Sequence, residues 1–203
     1  MPAVEGTERL FVAVLLPAPV REALGNLIER GKSKGTDVRW TRKENLHITL
    51  KFLGDVKRRD IPGVNEALRE AASRVGGFGA AIRGLGAFPS AGRPRVLWAG
   101  IDQGAGELQA LAAEVEACLQ PLGFPSEGSF SGHVTLGRLR QPGPSPWFRE
   151  WCAQERMEPL PVRVDGFWLM KSTLTPSGPE YEPLAEFRLG GAAAPRFGKG
   201  AED

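Results

Sequence analysis

The sequence predicts an α+β fold, in which antiparallel sheet carries helices on its outer faces. Three observations predict it. Apolar runs of strand length alternate with stretches whose apolar residues recur at helical spacing. The pattern His-x-Thr-Leu occurs twice, at 47–50 and at 133–136. The two copies lie nearly half of the ordered chain apart, which points to an internal duplication.

The elements follow in order. Arg9 to Leu16 is an apolar run that reads as a buried strand, closed by Pro17 and Pro19. Val20, Leu24, Leu27 and Ile28 then share one helical face, so a helix is expected over about residues 18–33, stopped at Lys34-Gly35. Val38 to Trp40 is a short strand or extended entry. Leu46 to Leu53 is the first motif strand, with Gly54 and the charged residues 55–60 as its turn. Pro62 suits a helix start, and Val64, Leu68, Ala71, Ala72 and Val75 continue its stripe to Gly76-Gly77. Strands are expected from Phe78 to Ala87 and from Arg95 to Ile101, with Phe88 to Pro94 as a loop. Leu108, Leu111, Ala112, Val115 and Leu119 define the clearest helix, ended by Gly123. Gly132 to Leu139 is the second motif strand. Pro142, Pro144 and Pro146 stiffen the next loop, before a short helix to about Arg156. Val162 to Lys171 and Tyr181 to Leu189 read as the last strands. The Gly/Ala-rich tail over 191–203 is expected to fray.

Composition narrows the class. A chain of 203 residues with 41% hydrophobic and 25% charged residues is globular and long enough for a sizeable core. A net charge of +2 does not announce a nucleic-acid protein, and it does not repel an anionic substrate. The start of the chain has no secretory pattern, and no run nears the roughly 18 apolar residues of a membrane span. With only Cys118 and Cys152, and no CxxC, the chain reads as a reduced cytoplasmic protein.

The chemistry concentrates in the two repeats. The chain has two histidines, His47 and His133, one in each copy. Strand alternation sets His47 with Thr49, and His133 with Thr135, each pair backed by an apolar face. An imidazole exchanges protons near neutral pH, and a threonine hydroxyl can donate to a developing oxyanion. Two such pairs facing each other could hold a phosphoryl group, one histidine as base and the other as acid, with no metal. By alternation Lys51 shares the His47 face, while Phe52 falls on the core side. Arg138 falls off the His133 face unless a bulge or twist brings it in. Arg39, Arg42 and Lys43, with Arg93, Arg95 and Arg140, could widen the positive field.

On these residues the chain resembles the bacterial and archaeal RNA 2′,3′-cyclic phosphodiesterases, also called 2′-5′ RNA ligases, of the two-histidine phosphoesterase superfamily. The resemblance runs from Arg9 through Val38-Arg39-Trp40, the stretch 45–54 (Asn-Leu-His-Ile-Thr-Leu-Lys-Phe-Leu-Gly), Arg95 to Trp98, His133 to Arg138, Val164 to Ser172 and Gly178 to Tyr181. One departure is Gly132, where the family usually has proline before the second motif. The resemblance implies two pseudo-symmetric lobes around a central cleft, forming one bilobal domain over 1–190. It implies hydrolysis of an RNA 2′,3′-cyclic phosphate end to a 2′-phosphate, with a reversible ATP-independent 2′-5′ ligation. His133 would activate water and His47 would protonate the leaving 3′ oxygen, with the two roles open to exchange. Thr49, Thr135 and Arg138 would hold the phosphate, with Lys51 and Phe52 as further substrate contacts. No metal or cofactor is implied. The expected partners are RNA 3′ ends or cyclic nucleotides, tRNA fragments among them, with no membrane, and the chain is expected to act as a monomer.

Other readings remain beside this one. A lone strand histidine is more often structural, but two identical copies reverse that. Two His and two Cys could bind zinc, yet no spacing suits it. The cleft could belong to a nucleotide-binding module without turnover, or to a phosphoesterase for another small nucleotide.

Overall fold

The computed structural model describes residues 6–34, 37–126, 128–141 and 143–190. The expected fraying tail, Gly35 at the end of the first helix and Pro142 of the proline loop lie outside the described residues.

Among the described residues nine antiparallel strands and four α-helices form the fold. In chain order they are β1 (Thr7–Leu15), α1 (Ala18–Lys32), β2 (Val38–Trp40), β3 (His47–Lys57), α2 (Ile61–Ser73), β4 (Phe78–Phe88), β5 (Val96–Ile101), α3 (Ala105–Leu119), β6 (His133–Leu139), α4 (Pro146–Gln154), β7 (Leu160–Val164), β8 (Gly166–Thr175) and β9 (Gly178–Arg188). Pro19, Pro62 and Pro146 each sit in a first helical turn, where the missing N–H costs nothing.

The sheet runs β7-β4-β5-β6-β3-β1-β8-β9, with β2 added beside β6. Its centre is the β6–β3 seam, where the motif strands pair at one position, Ile48 opposite Val134. Outward from that seam the two halves match strand for strand: β3, β1, β8 and β9 on one side, β6, β5, β4 and β7 on the other. These are the two lobes. Helices α2 and α3 cover the first, and α1 and α4 the second. The lobes are interwoven rather than sequential. The first lobe takes β8 and β9 from the end of the chain, and the second takes α1 and β4 from its first half.

Several expected boundaries differ: β8 and β9 extend to Thr175 and from Gly178 as a tight hairpin, and two further differences change the topology. The strand expected over Val162–Lys171 is two strands, broken at Asp165, because β7 pairs with β4 in one lobe and β8 with β1 in the other. Gly166 makes the crossing possible, since a Cβ there would meet the Phe187 carbonyl oxygen at 2.8 Å. The turn expected at Gly54 is instead a kink inside β3, which continues to Lys57, with Gly54 at φ +70° where a side chain would be strained.

The core lies between sheet and helices. Leu10, Val12, Val14, Ile48, Leu50, Val134 and Leu136 are buried on the helix-covered face with Leu24, Leu68, Leu111 and Val115. The opposite face carries a small apolar patch of Phe11, Ala13 and Met170, with Trp168 and Tyr181 beside it. That second face is concave and forms the cleft floor.

Candidate active site

The motif residues converge because of register. With Ile48 opposite Val134 in an antiparallel pair, His47 falls toward Thr135 and Thr49 toward His133. The local two-fold relation passes through the seam and exchanges the two histidines.

Both imidazoles are anchored in the same way. His47 Nδ1 lies 2.7 Å from the carbonyl oxygen of Asn45, and His133 Nδ1 lies 2.7 Å from that of Ser131. A carbonyl only accepts, so each Nδ1 carries the proton and each Nε2 is the free working nitrogen. His47 Nε2 is 3.0 Å from Thr49 Oγ1, so the hydroxyl holds the ring until substrate arrives. Aromatic rings fix the planes. Phe11 and Tyr181 lie at 5.0 and 5.3 Å from the His47 ring, and Phe88 at 5.0 Å from the His133 ring, edge to face.

Burial lowers the pKa of both histidines from the ordinary value near 6.5, opposed by the backbone hydrogen bond each ring donates. The charge of His133 lowers His47 further, and Arg138 lowers His133. Both rings are therefore held toward the neutral form near neutral pH, by burial first and by a neighbouring charge second.

Each motif strand carries a bulge just past its threonine. In β3, Ala13 pairs with Thr49 and Val12 with Lys51, leaving Leu50 unopposed. In β6, Trp98 pairs with Thr135 and Leu97 with Gly137, leaving Leu136 unopposed. The extra residue inverts the alternation beyond it. Arg138 therefore does reach the cleft face, by the bulge that strict alternation lacked. The same step corrects the expectations for β3. Lys51 is not in the cleft: it is buried on the opposite face, where Nζ donates to Glu116 Oε1 at 3.1 Å and to the Pro125 carbonyl at 2.7 Å. Phe52, expected on the core side, is 54% exposed and lines the cleft.

The cleft beside His47 holds about 400 Å³. Its floor is Phe11, His47, Thr49, Thr135 and Arg138, and its rim carries Arg9, Arg39 and Arg42. The β8–β9 hairpin forms one wall with Leu174, Ser177 and Tyr181. That wall is tied to the entry of β3, since Arg42 donates to the Ser177 carbonyl at 3.1 Å and Asn45 Nδ2 to that of Pro179 at 2.8 Å. Phe52 and Leu174 are large apolar side chains left exposed at this one cleft, a surface suited to the flat face of a base. Tyr181, Phe11, Phe88 and Leu174 were not singled out by sequence reasoning. Tyr181 lies in a stretch that carries the family resemblance, but nothing in strand periodicity marks it as a neighbour of His47. Burial raises its phenol pKa, so it stays neutral.

Cys118 and Cys152 are free and sit on different helices, α3 and α4. Burial raises the pKa of both thiols, that of Cys152 to about 11, which fits inert packing residues. No described helix is long and apolar enough to cross a membrane.

Two His-x-Thr pairs brought together at one seam, with Arg138 beside them, fit the class of two-histidine phosphoesterases; His47, Thr49, Thr135 and Arg138 line the cleft itself, and His133 sits next to Phe88. The family follows from comparison with known proteins. A profile described as "LigT like Phosphoesterase" matches residues 14–98 and 100–181, and the chain belongs to that family. It is 36% identical over 181 residues to the RNA 2′,3′-cyclic phosphodiesterase of Archaeoglobus fulgidus, covering 88% of this chain and 99% of the relative. It is 32% identical over 183 residues to the protein of that name from Thermotoga maritima, covering 90% and 96%. Among solved structures, TT0787 of Thermus thermophilus superposes with a TM-score of 0.76 at 32% identity, covering 91% of this chain and 100% of that one. E. coli LigT complexed with 3′-AMP superposes at 0.67 and 26% identity, covering 91% and 98%.

Proposed function

We propose that this enzyme hydrolyses the 2′,3′-cyclic phosphate at RNA 3′ ends to a 2′-phosphate. The observation that carries this reading is the matched anchoring of His47 and His133, each ring held through Nδ1 on the carbonyl two residues upstream, so that Nε2 is left for proton transfer in both. Displacement at phosphorus needs the entering and leaving oxygens on opposite sides. With the roles as the family resemblance gives them, and exchangeable by the local two-fold, neutral His133 takes a proton from water through Nε2 as the water oxygen bonds to phosphorus. The P–O3′ bond breaks, and protonated His47 gives its Nε2 proton to O3′. Thr49 and Thr135 donate to the non-bridging oxygens, and Arg138 offsets their charge. Phe52 offers a face to the terminal base.

Ligation uses the same groups. A ribose hydroxyl enters in place of water, and its attack on the cyclic phosphate, with O3′ leaving, makes a 2′-5′ linkage without ATP. The curated relatives' name supports hydrolysis as the main direction. The working unit is the bilobal domain of residues 1–190, acting as a cytoplasmic monomer on RNA 3′ ends, including tRNA fragments, without a cofactor.

The test is incubation with an oligoribonucleotide ending in a 2′,3′-cyclic phosphate, in EDTA, with the product identified by mass and by 2′- against 3′-phosphate standards. A 2′-phosphate product is expected. Its absence would overturn the enzyme reading and leave a nucleotide-binding module, and a higher rate on an unrelated cyclic nucleotide would move the substrate.

A further inference from the structure

Cations on the outer surface of this chain are mostly paired: Arg30 with Glu155, Lys43 with Glu22, Arg58 with Glu8, Arg74 with Glu70 and Glu114, and Arg163 with Asp165. On the concave side the pattern reverses. Among the described residues Arg39, Arg138, Arg93 and Arg95 have no carboxylate partner.

Arg39 and Arg138 are placed by the sheet, and Arg93 and Arg95 by the connection between β4 and β5. Arg39 on β2 lies directly opposite Arg138 on β6, Arg138 lies opposite Val96 on β5, and Val96 opposite Phe88 on β4. Residues opposite one another in a sheet project on the same face. The rung therefore starts at the cleft beside His47, which Arg39 and Arg138 line, and ends at a second cavity lined by Phe88, Pro89, Arg93, Arg95, Val96 and Gly143. Like charges directly opposed across strands destabilise a sheet unless an anion lies between them. Phe88, which packs against the His133 ring, joins this second cavity to the reacting point.

We infer that the cavity at Arg93 and Arg95 is a subsite for the phosphodiester backbone of an RNA strand, on the His133 side of the reacting phosphorus. This inference rests on the proposed function and goes beyond it, because the contacts assigned there to a cyclic phosphate (His47, His133, Thr49, Thr135, Arg138 and Phe52) include no residue that lines the second cavity. Arg93 and Arg95 are exposed and close in sequence, and two guanidiniums suit successive phosphate oxygens. The strand so held is either the chain of the substrate itself or a second strand whose terminal hydroxyl enters at His133 in ligation.

The experiment compares wild type with R93E/R95E on 2′,3′-cyclic AMP and on an oligoribonucleotide with a 2′,3′-cyclic phosphate end, across a salt series. Wild type is expected to have a lower KM for the oligonucleotide, rising with salt. The variant should lose about tenfold in kcat/KM on the oligonucleotide through KM, with a salt slope reduced by about two and cyclic AMP turnover unchanged. Equal loss on both substrates, or no loss on either, overturns the subsite. Adding a 5′-hydroxyl oligonucleotide without a cyclic end separates the two sources: if it inhibits cyclic AMP hydrolysis in wild type but not in the variant, the site holds a second strand. Binding of a labelled single-stranded RNA by anisotropy is measured in parallel. If turnover is absent while this binding still depends on Arg93 and Arg95, the subsite stands and the functional reading falls.

Discussion

The two motif strands are built alike up to the bulge and differently just beyond it. In β3 the residues after the bulge are Lys51 and Phe52, and in β6 they are Gly137 and Arg138. Both bulges turn the second of these residues toward the cleft and the first away from it. The first lobe thus presents an aromatic ring and the second a cation at matching places. Behind the sheet, Lys51 has room to reach Glu116 on α3, whereas a Cβ on Gly137 would meet Val38 Cγ1 at 2.7 Å. Under the proposed function the duplicated frame would supply symmetric proton transfer, and the asymmetry past the bulges would tell base from phosphate.

The strongest way to break this comparison is at its symmetric part. His47→Ala and His133→Ala should each lower kcat by about 10²–10⁴-fold on a cyclic nucleotide, with an unchanged circular dichroism spectrum. If one of them kept a near-normal rate, the paired mechanism would be lost. Next in size is Arg138→Ala, expected to cost about 100-fold in kcat/KM, because the cation acts on the charge that develops at phosphorus. Phe52→Ala should cost about tenfold, mostly in KM, since stacking is worth roughly 1–3 kcal/mol per base. A larger loss for Phe52 than for Arg138 would mean that the two bulges have been assigned the wrong duties.

The pH profile sharpens the symmetric part. For kcat/KM it should be bell-shaped with its optimum on the acid side of 6.5, because burial lowers both histidines in the free enzyme. The kcat optimum should lie higher, since a bound phosphate anion favours the imidazolium. Removing Arg138 should raise the His133 limb. Folding stability carries the same sign. Each folded histidine binds protons less readily than its unfolded counterpart, so their contribution is complete above about pH 6.5 and is lost as pH falls through the lowered folded values. Urea midpoints at pH 7.5 and 5.5 should differ more in wild type than in His47→Gln/His133→Gln. An equal difference would show that carboxylates alone set the acid limb.

The smallest expected effect on activity is at Lys51. Lys51→Met should stay within a few-fold of wild type in kcat/KM and near-neutral in stability, since an apolar isostere can replace a buried ion-pair partner. Glu116→Ala should instead cost about 2 kcal/mol by urea denaturation, because it leaves the buried ammonium with only the Pro125 carbonyl as acceptor. A 100-fold fall in activity for Lys51→Met would put Lys51 back among the substrate contacts.

Much of this was legible along the chain because it depends on local periodicity. The apolar stripe of Val20, Leu24 and Leu27 and that of Leu108, Leu111 and Val115 mark helices in any tertiary setting. The repeated His-x-Thr marks the two working strands. The phosphoesterase reading followed from the residue types in those repeats, together with the family resemblance of their flanks. Strand alternation is also local, and so it failed at Lys51 and Phe52, where one unopposed residue, Leu50, inverts it. A bulge depends on what the neighbouring strand offers, which no single strand's sequence records.

The sequence by itself determined the α+β class, the histidine and threonine pairs and the class of chemistry. Tertiary structure alone decided which side chains share the cleft. It interwove the lobes through the break at Asp165, set Tyr181 against His47 and Phe88 against His133, turned Arg138 and Phe52 in and Lys51 out, and aligned Arg39, Arg138, Val96 and Phe88 on one rung. The physical reason is that faces follow from register between strands distant in sequence, while periodicity reports only the strand it is read from.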